Sequence, residues 1–323
     1  MVKILYLEEK FTDEEMARRE GDLFNSDHYD IILDEDADVY DKDGNLLLKL
    51  RKNVISKDLT RSAVKNYKKA AQKKHENRGA SAGPLDKEKM PNYIGDFVDP
   101  GKFRTHFISS TSGKLSNQHV SNLSPSNIIG FFDKKDRNLK GKGPPCRLTA
   151  FNRDHNDKWV EALPFLERID ELFKELVPDS HAAQLSRASE TPKFQINNTA
   201  FSTVTINYSW RTALHKDAGD FKGGFGNLIV CEDEENPYKY KGCYTGFPRY
   251  GVAVNVRDGD FVAMNVHEWH CNTEFIKDFD EEILESEQNK NRKFNIKNEW
   301  HYNRLSVVCY LREKMLRCKD MDL

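Results

Sequence analysis

The chain has 323 residues, of which 38% are hydrophobic and 32% charged, with a formal net charge of −2. This composition fits one large globular domain or two ordinary ones and excludes a polycation that grips nucleic acid by global charge, so any such contact must come from a local patch. No apolar run approaches the roughly 20 residues of a membrane helix, and the N-terminus turns acidic at Glu8 and Glu9, too early for a secretory leader. The expectation is an intracellular protein, cytoplasmic or nuclear, with no membrane association and no obligate protein partner evident.

In chain order, the first stretch runs to about Pro84. It holds strand candidates at Lys3–Leu7 and Tyr29–Leu33, then a hairpin of Ala37–Tyr40 and Leu46–Leu50. Asp43-Gly44 supplies the turn, because glycine adopts the positive φ that such turns need. Asp58 to Arg78 reads as a helix capped by Asp58 and carrying Arg61, Lys65, Lys68, Lys69, Lys73 and Lys74. Residues 79–84 are a break. The second stretch, about 85 to 145, is rich in Ser, Asn, Lys and Gly and reads as loops around short elements.

The third stretch is more regular. Trp159, Leu163, Leu166, Ile169, Phe173 and Leu176 recur at helical spacing, which predicts an amphipathic helix over 158–177 ended by Pro178. Short strand-like runs follow at Ser202–Tyr208, Asn227–Cys231, Gly251–Val256, Phe261–Val266 and Leu305–Leu311. Such a series, with Gly and Asp between its members, predicts an antiparallel sandwich or barrel. A charged insert at 277–300, acidic first and basic later, interrupts it. The six cysteines (Cys146, Cys231, Cys243, Cys271, Cys309 and Cys318) form no Cys-x-x-Cys pair, and several sit in apolar runs; free thiols in a reducing compartment are expected.

One constellation carries chemistry. His215-Lys216-Asp217 follows the run Ser202–Tyr208, and in an extended chain residues i and i+2 share a side. His215 and Asp217 can therefore face one cation. A third ligand is available from His267-Glu268-Trp269-His270, where either histidine qualifies by position. Two imidazoles and one carboxylate make the facial triad of non-haem iron(II) oxygenases, which leaves sites open for a co-substrate and dioxygen (O2). Arg304-Leu305-Ser306 opens the last strand; a guanidinium holds a carboxylate bidentately and a hydroxyl adds a hydrogen bond, as the distal carboxylate of 2-oxoglutarate requires. Polar side chains of the run Thr205-Ile206-Asn207-Tyr208 are expected to line the same cavity. His267 to His270 is not the zinc-protease motif, being one residue short between its histidines.

At these residues the chain resembles the ten-eleven translocation and base-J-binding-protein group of nucleic-acid base dioxygenases, especially viral and phage members. The resemblance rests on residues 199–207, His215-Lys216-Asp217, the glycine-rich 223–227, residues 250–260, 267–273 and 304–310, and spans about 146–315, half of the chain. It implies an α+β, mainly β fold: a double-stranded β-helix, jelly-roll or cupin-like, with flanking helices. Residues 146–323 would form that oxygenase domain, and 1–145 an N-terminal extension of short strands, hairpin and basic helix packing on it. It further implies iron(II), 2-oxoglutarate and O2, and hydroxylation of the 5-methyl group of 5-methylcytosine or thymine in DNA. An oxygenase of the same fold acting on a protein side chain or small metabolite is the alternative.

The resemblance also selects His270 as the ligand, since His270-Cys271-Asn272-Thr273 fits the family's pattern, and leaves His267 beside the metal or facing substrate. Arg304 matches the 2-oxoglutarate arginine, with Ser306 and Asn207 beside it. Asp220 stands where animal members place a base-touching asparagine, and an aspartate can accept from the exocyclic amine of cytosine. A base acted on in duplex DNA must be flipped out, which calls for phosphate contacts and stacking surfaces. Arg147, Arg153, Arg211 and the basic helix are candidates for the first, Trp210 and Trp269 for the second. Each has an ordinary alternative: a solvated helix face, an ion pair at the edge of the core, or core packing.

Overall fold

The computed structural model describes residues 1–76, 78–90, 93–133, 145–280 and 302–320. The N-terminal part supplies β1 (Lys3–Leu7), α1 (Asp13–Arg18), β2 (Ile31–Leu33), β3 (Ala37–Asp41), β4 (Leu46–Arg51), α2 (Lys57–Ala71), β5 (Lys74–His75), β6 (Gly95–Phe97), β7 (Phe107–Ser109) and β8 (Ser124–Asp133). After these come β9 (Cys146–Leu148), α3 (Ala150–Asp154), α4 (Asn156–Glu161), α5 (Leu163–Leu176) and α6 (Pro178–Ser189). The remainder is strands: β10 (Thr203–Tyr208), β11 (Gly226–Glu232), β12 (Tyr240–Gly242), β13 (Thr245–Phe247), β14 (Val252–Val254), β15 (Phe261–Met264), β16 (Cys271–Asn272), β17 (Phe275–Lys277) and β18 (Arg304–Tyr310).

Two sheets form the double-stranded β-helix. The larger runs β1-β3-β4-β15-β11-β18-β10-β8-β5, with β9 also on β8; the smaller runs β16-β13-β14-β2. Alternation along the central strands assigns their side chains to two cores. Val204, Ile206, Ile229, Cys231, Leu305 and Val307 point outward against Tyr67 of α2 and Phe165, Ile169 and Phe173 of α5. Leu228, Val230, Val262 and Met264 point inward and meet Phe247, Val252 and Val254 of the smaller sheet. Being covered on both faces is why β15 and the middle of β11, Leu228–Cys231, are uniformly apolar. The polar alternates of β10 and β18 (Thr205, Asn207, Arg304 and Ser306) also face inward, at the end where the sheets part to leave a cavity.

Elements from the first stretch complete both sheets: β4 pairs antiparallel with β15, and β2 pairs parallel with β14. The hairpin β3–β4 forms as expected, with Gly44 at φ +84° and the Asp41 carboxylate accepting from the backbone N–H of Asp43 and Asn45.

Four expectations need correction or qualification. The basic helix ends at Ala71 rather than Arg78, because Lys74 and His75 leave it to pair with β8. The helix over 158–177 is two helices, since Pro164 has no N–H to donate into a continuing helix and starts α5 instead. Pro178 likewise opens α6, which the sequence reading missed. Cys146 and Cys318 form a disulfide, because β9 and the turn after β18 come together at a Cα–Cα distance of 6.1 Å; the other four cysteines are buried and keep their thiols out of any disulfide. Residues 281–301, most of the expected charged insert, lie outside the described residues.

Candidate metal centre and co-substrate pocket

The triad is assembled by two loops that brace each other. After β10 the chain crosses the mouth of the β-helix, and its backbone is pinned at Ala213 N–H to Ser81 O, Leu214 N–H to Asp22 O and Asp217 N–H to Val266 O. The loop leaving β15 meets it in a two-way bridge: His215 N–H donates to His270 O at 3.1 Å and His270 N–H to His215 O at 3.0 Å. The imidazoles thus lie side by side, ring centroids 4.3 Å apart. Asp217 lies across from both, with Nε2 of His215 and Nε2 of His270 each 3.7 Å from one of its carboxylate oxygens. The three ligand atoms fall within 4.8 Å of one another, a spacing that can hold one metal ion.

Hydrogen bonding suits the histidines to this task. Nδ1 of His215 lies 2.8 Å from Ala213 O, and Nδ1 of His270 lies 2.9 Å from Glu268 O. A carbonyl only accepts, so each Nδ1 carries the proton and each Nε2 presents a lone pair to the cavity. Burial, reinforced by the neighbouring His270, lowers the pKa of His215 to about 4 and keeps it neutral. His267 faces elsewhere: its Nε2 donates to Phe221 O at 3.1 Å.

The triad opens on a cavity of about 350 Å³. Arg304 lies in its wall, 2% exposed, and its Nε and Nη2 have no hydrogen-bond partner among the described residues. A buried guanidinium with idle donors is costly unless an anion meets it. Beside it Asn207 Nδ2 donates to Ser306 Oγ at 3.2 Å, and Ser126 donates to Asn207 Oδ1. A cation with two open donors and a hydroxyl neighbour fits a carboxylate such as that of 2-oxoglutarate. Leu228, Met264 and Val308 supply apolar wall between these groups and the triad.

The remaining expected contacts divide. Asp220 lines the cavity; burial first, then the charge of Asp217, push its pKa well above the usual carboxylate range. Trp210 and Thr205 line it too. Trp269 does not: its indole packs with Met16, Phe24 and Leu214 and donates Nε1–H to Asp13. The stacking role expected of Trp269 therefore fails, as does the cavity-facing role of His267. Arg147 is exposed on β9, opposite Phe132, which lines the cavity rim. Arg211 is buried and bonds to the carbonyls of Phe24 and Asn272, so it is a brace within the fold. Helix α2 covers the outer face of the larger sheet, away from the cavity, and Lys57, Arg61, Lys65 and Lys68 each pair with an acidic side chain. It is an ion-paired solvent face.

Two cavity arginines are not evident as such from the sequence. Arg312 continues the inward alternation of β18 from Arg304 through Ser306, Val308 and Tyr310, a signal that was available. Arg78 gave no such signal. It lies three positions after β5, and its Nε and Nη2 are buried in the cavity wall without partners among the described residues.

Two imidazoles and one carboxylate at the mouth of a double-stranded β-helix, with the opposite side open, form the donor set of the non-haem iron oxygenase class. The chain belongs to the Tet_JBP family, the oxygenase domain of the 2OGFeDO superfamily, whose model matches residues 127–313. It is 30% identical over 219 residues to the bifunctional helicase and thymine dioxygenase JBP2 of Leishmania major, covering 68% of this chain and 17% of that protein. It is 36% identical over 149 residues to the thymine dioxygenase JBP1 of Crithidia fasciculata, covering 46% of this chain and 17% of the relative. The chain thus spans about a sixth of the length of these two relatives. A solved structure of NgTET1 in complex with 5mC DNA aligns over 97% of this chain and 83% of that one, at 11% identity and a TM-score of 0.47.

Proposed function

We propose that this protein is an iron(II)- and 2-oxoglutarate-dependent dioxygenase that hydroxylates the 5-methyl group of a pyrimidine in DNA. The observation that carries this reading is a single cavity shared by the His215–Asp217–His270 cluster and the buried guanidinium of Arg304, whose Nε and Nη2 have no partner among the described residues. The relatives named above are called thymine dioxygenases, which makes thymine the first base to test and 5-methylcytosine the second.

His215, Asp217 and His270 would hold iron(II). When bound, that ion with 2-oxoglutarate and O2 supplies oxygen insertion into a C–H bond, the co-substrate leaving as succinate and carbon dioxide. The protein does the rest. The carbonyls of Ala213 and Glu268 fix the tautomers that aim both Nε2 atoms inward. Arg304 and Ser306 take the distal carboxylate of the co-substrate and so set its direction in the cavity. Leu228, Met264 and Val308 exclude water along its length. Trp210 gives a face for a flipped base, Asp220 a polar group in the wall, and Arg147 a cation for phosphate at the rim.

The test is direct. The protein is incubated with iron(II), 2-oxoglutarate and DNA containing thymine and 5-methylcytosine; the DNA is digested to nucleosides and examined by mass spectrometry. A gain of one oxygen on a pyrimidine is expected. Succinate release on peptides or metabolites, with no oxidised base in DNA or RNA, would overturn the assignment.

A further inference from the structure

The side of the triad that faces away from the cavity is organised by a residue far outside the matched family segment. Lys216 stands between two triad members, and alternation turns it away from them. Its Nζ reaches Oδ1 of Asp13 at 2.5 Å and lies 4.8 Å over the ring of Trp269. Trp269 precedes His270 and likewise turns away; its Nε1–H donates to the same Asp13 oxygen at 2.8 Å. One carboxylate oxygen therefore takes a donor from each of the two ligand-bearing loops. Hydrogen bonding to Lys216 accordingly holds the Asp13 carboxyl below its usual range.

Asp13 is itself well placed. It is the first residue of α1, whose start is fixed by Thr12 and Glu15 in a reciprocal capping box. The segment before it holds Arg249, through Lys10 N–H to Arg249 O at 2.7 Å and a Glu9–Arg249 ion pair at 2.9 Å. Arg249 in turn pairs with Glu268, whose carbonyl orients His270. Residues 9–13 are thus a strap across the backs of both loops.

We infer that Asp13 is a positioning residue for the metal: by joining Lys216 and Trp269 it fixes the spacing of the loop carrying His215 and Asp217 against the loop carrying His270. The inference rests on the metal site proposed above. Groups that orient metal ligands from behind typically change metal affinity by about 10- to 100-fold when lost. The half-exposed Asp13 and its partly exposed partner Lys216 place the effect at the lower end.

The test measures cobalt(II), which can occupy such a site without turnover, binding to the full chain by calorimetry and by its visible absorption. Asp13→Ala is expected to weaken binding about 10-fold and to change the absorption band, while Glu14→Gln, on the same helix turn, leaves both unchanged. Trp269→Phe removes the N–H donor while keeping an aromatic ring in the core, and Lys216→Met removes the cation while keeping the aliphatic stem; each should weaken binding several-fold. If Asp13→Ala does not fold, these two variants decide. Unchanged cobalt affinity and spectrum in folded Asp13→Ala, or in both of the others, would overturn the inference. Failure of the unaltered protein to bind cobalt would instead count against the metal site itself.

Discussion

Nε2 of His267 lies 3.1 Å from the carbonyl oxygen of Phe221, so the first imidazole of the His267–His270 run is tied to the glycine-rich loop while the second faces Asp217. The two histidines are three positions apart yet serve different neighbours. His270→Ala should abolish metal binding and succinate formation. His267→Ala should keep metal affinity within about threefold and cost about 1 kcal/mol of stability, the usual worth of one buried hydrogen bond. Cobalt titration and chemical denaturation of both variants check this; metal loss in His267→Ala alone would exchange the assignments.

Arg304 is expected to trade stability for binding. Its buried Nε and Nη2, without partners among the described residues, are a cost to the ligand-free fold. Arg304→Met should raise the melting temperature without co-substrate, abolish the stabilisation that 2-oxoglutarate gives, and raise its KM by about 10- to 100-fold, the worth of a charge-assisted pair. Thermal melts with and without 2-oxoglutarate, plus initial rates, read all three.

Arg78 makes the same argument from the other part of the chain. Its Nε and Nη2 are buried in the cavity wall without a partner among the described residues, and burial lowers its pKa. Arg78→Met should also raise the melting temperature while lowering kcat/KM. A fall in melting temperature would show that the guanidinium is already satisfied in the folded protein.

The metal-free protein should lose stability in mild acid on account of His215. Its pKa is about 4 when folded, against 6.5 for an unperturbed histidine. Between those values the unfolded chain binds a proton that the folded chain does not, so stability falls as pH drops from about 6.5 to about 4 and is flat for this group above that window. The full effect is about 3 kcal/mol. Denaturation of the wild type and of His215→Gln at several pH values should show that the variant lacks this part of the slope.

The Cys146–Cys318 bond closes a sequence separation of 172 residues. Denatured protein that has not been reduced should titrate four thiols, and reduced protein all six. Reduction, or Cys318→Ser, should cost about 2–5 kcal/mol of stability, the usual range for a native disulfide. Six thiols before reduction would remove the bond from the description.

The chemistry of the site is legible in the local order of residues. His215 and Asp217 are two residues apart, and the backbone geometry of an extended chain puts such a pair on one side whatever surrounds it. Alternation along β18 likewise marks Arg304 and Ser306 as sharing a face, and the same rule reaches Arg312; the pairing of β10 with β18 brings Asn207 to that face. The rest depends on contacts between distant segments, which carry no local period. Strand β8 reads as a loop because its Ser, Pro and Asn have no strand propensity, yet its place beside β10 makes it a wall of the cavity. Pro164 and Pro178 are stops by one rule and starts by another, and packing chose. The separation of His267 from His270, the disulfide between Cys146 and Cys318, the entry of Arg78 into the cavity and the strap from Glu9 to Asp13 arise where the chain returns to itself. There a side chain's partner is set by the fold and not by its neighbours in sequence.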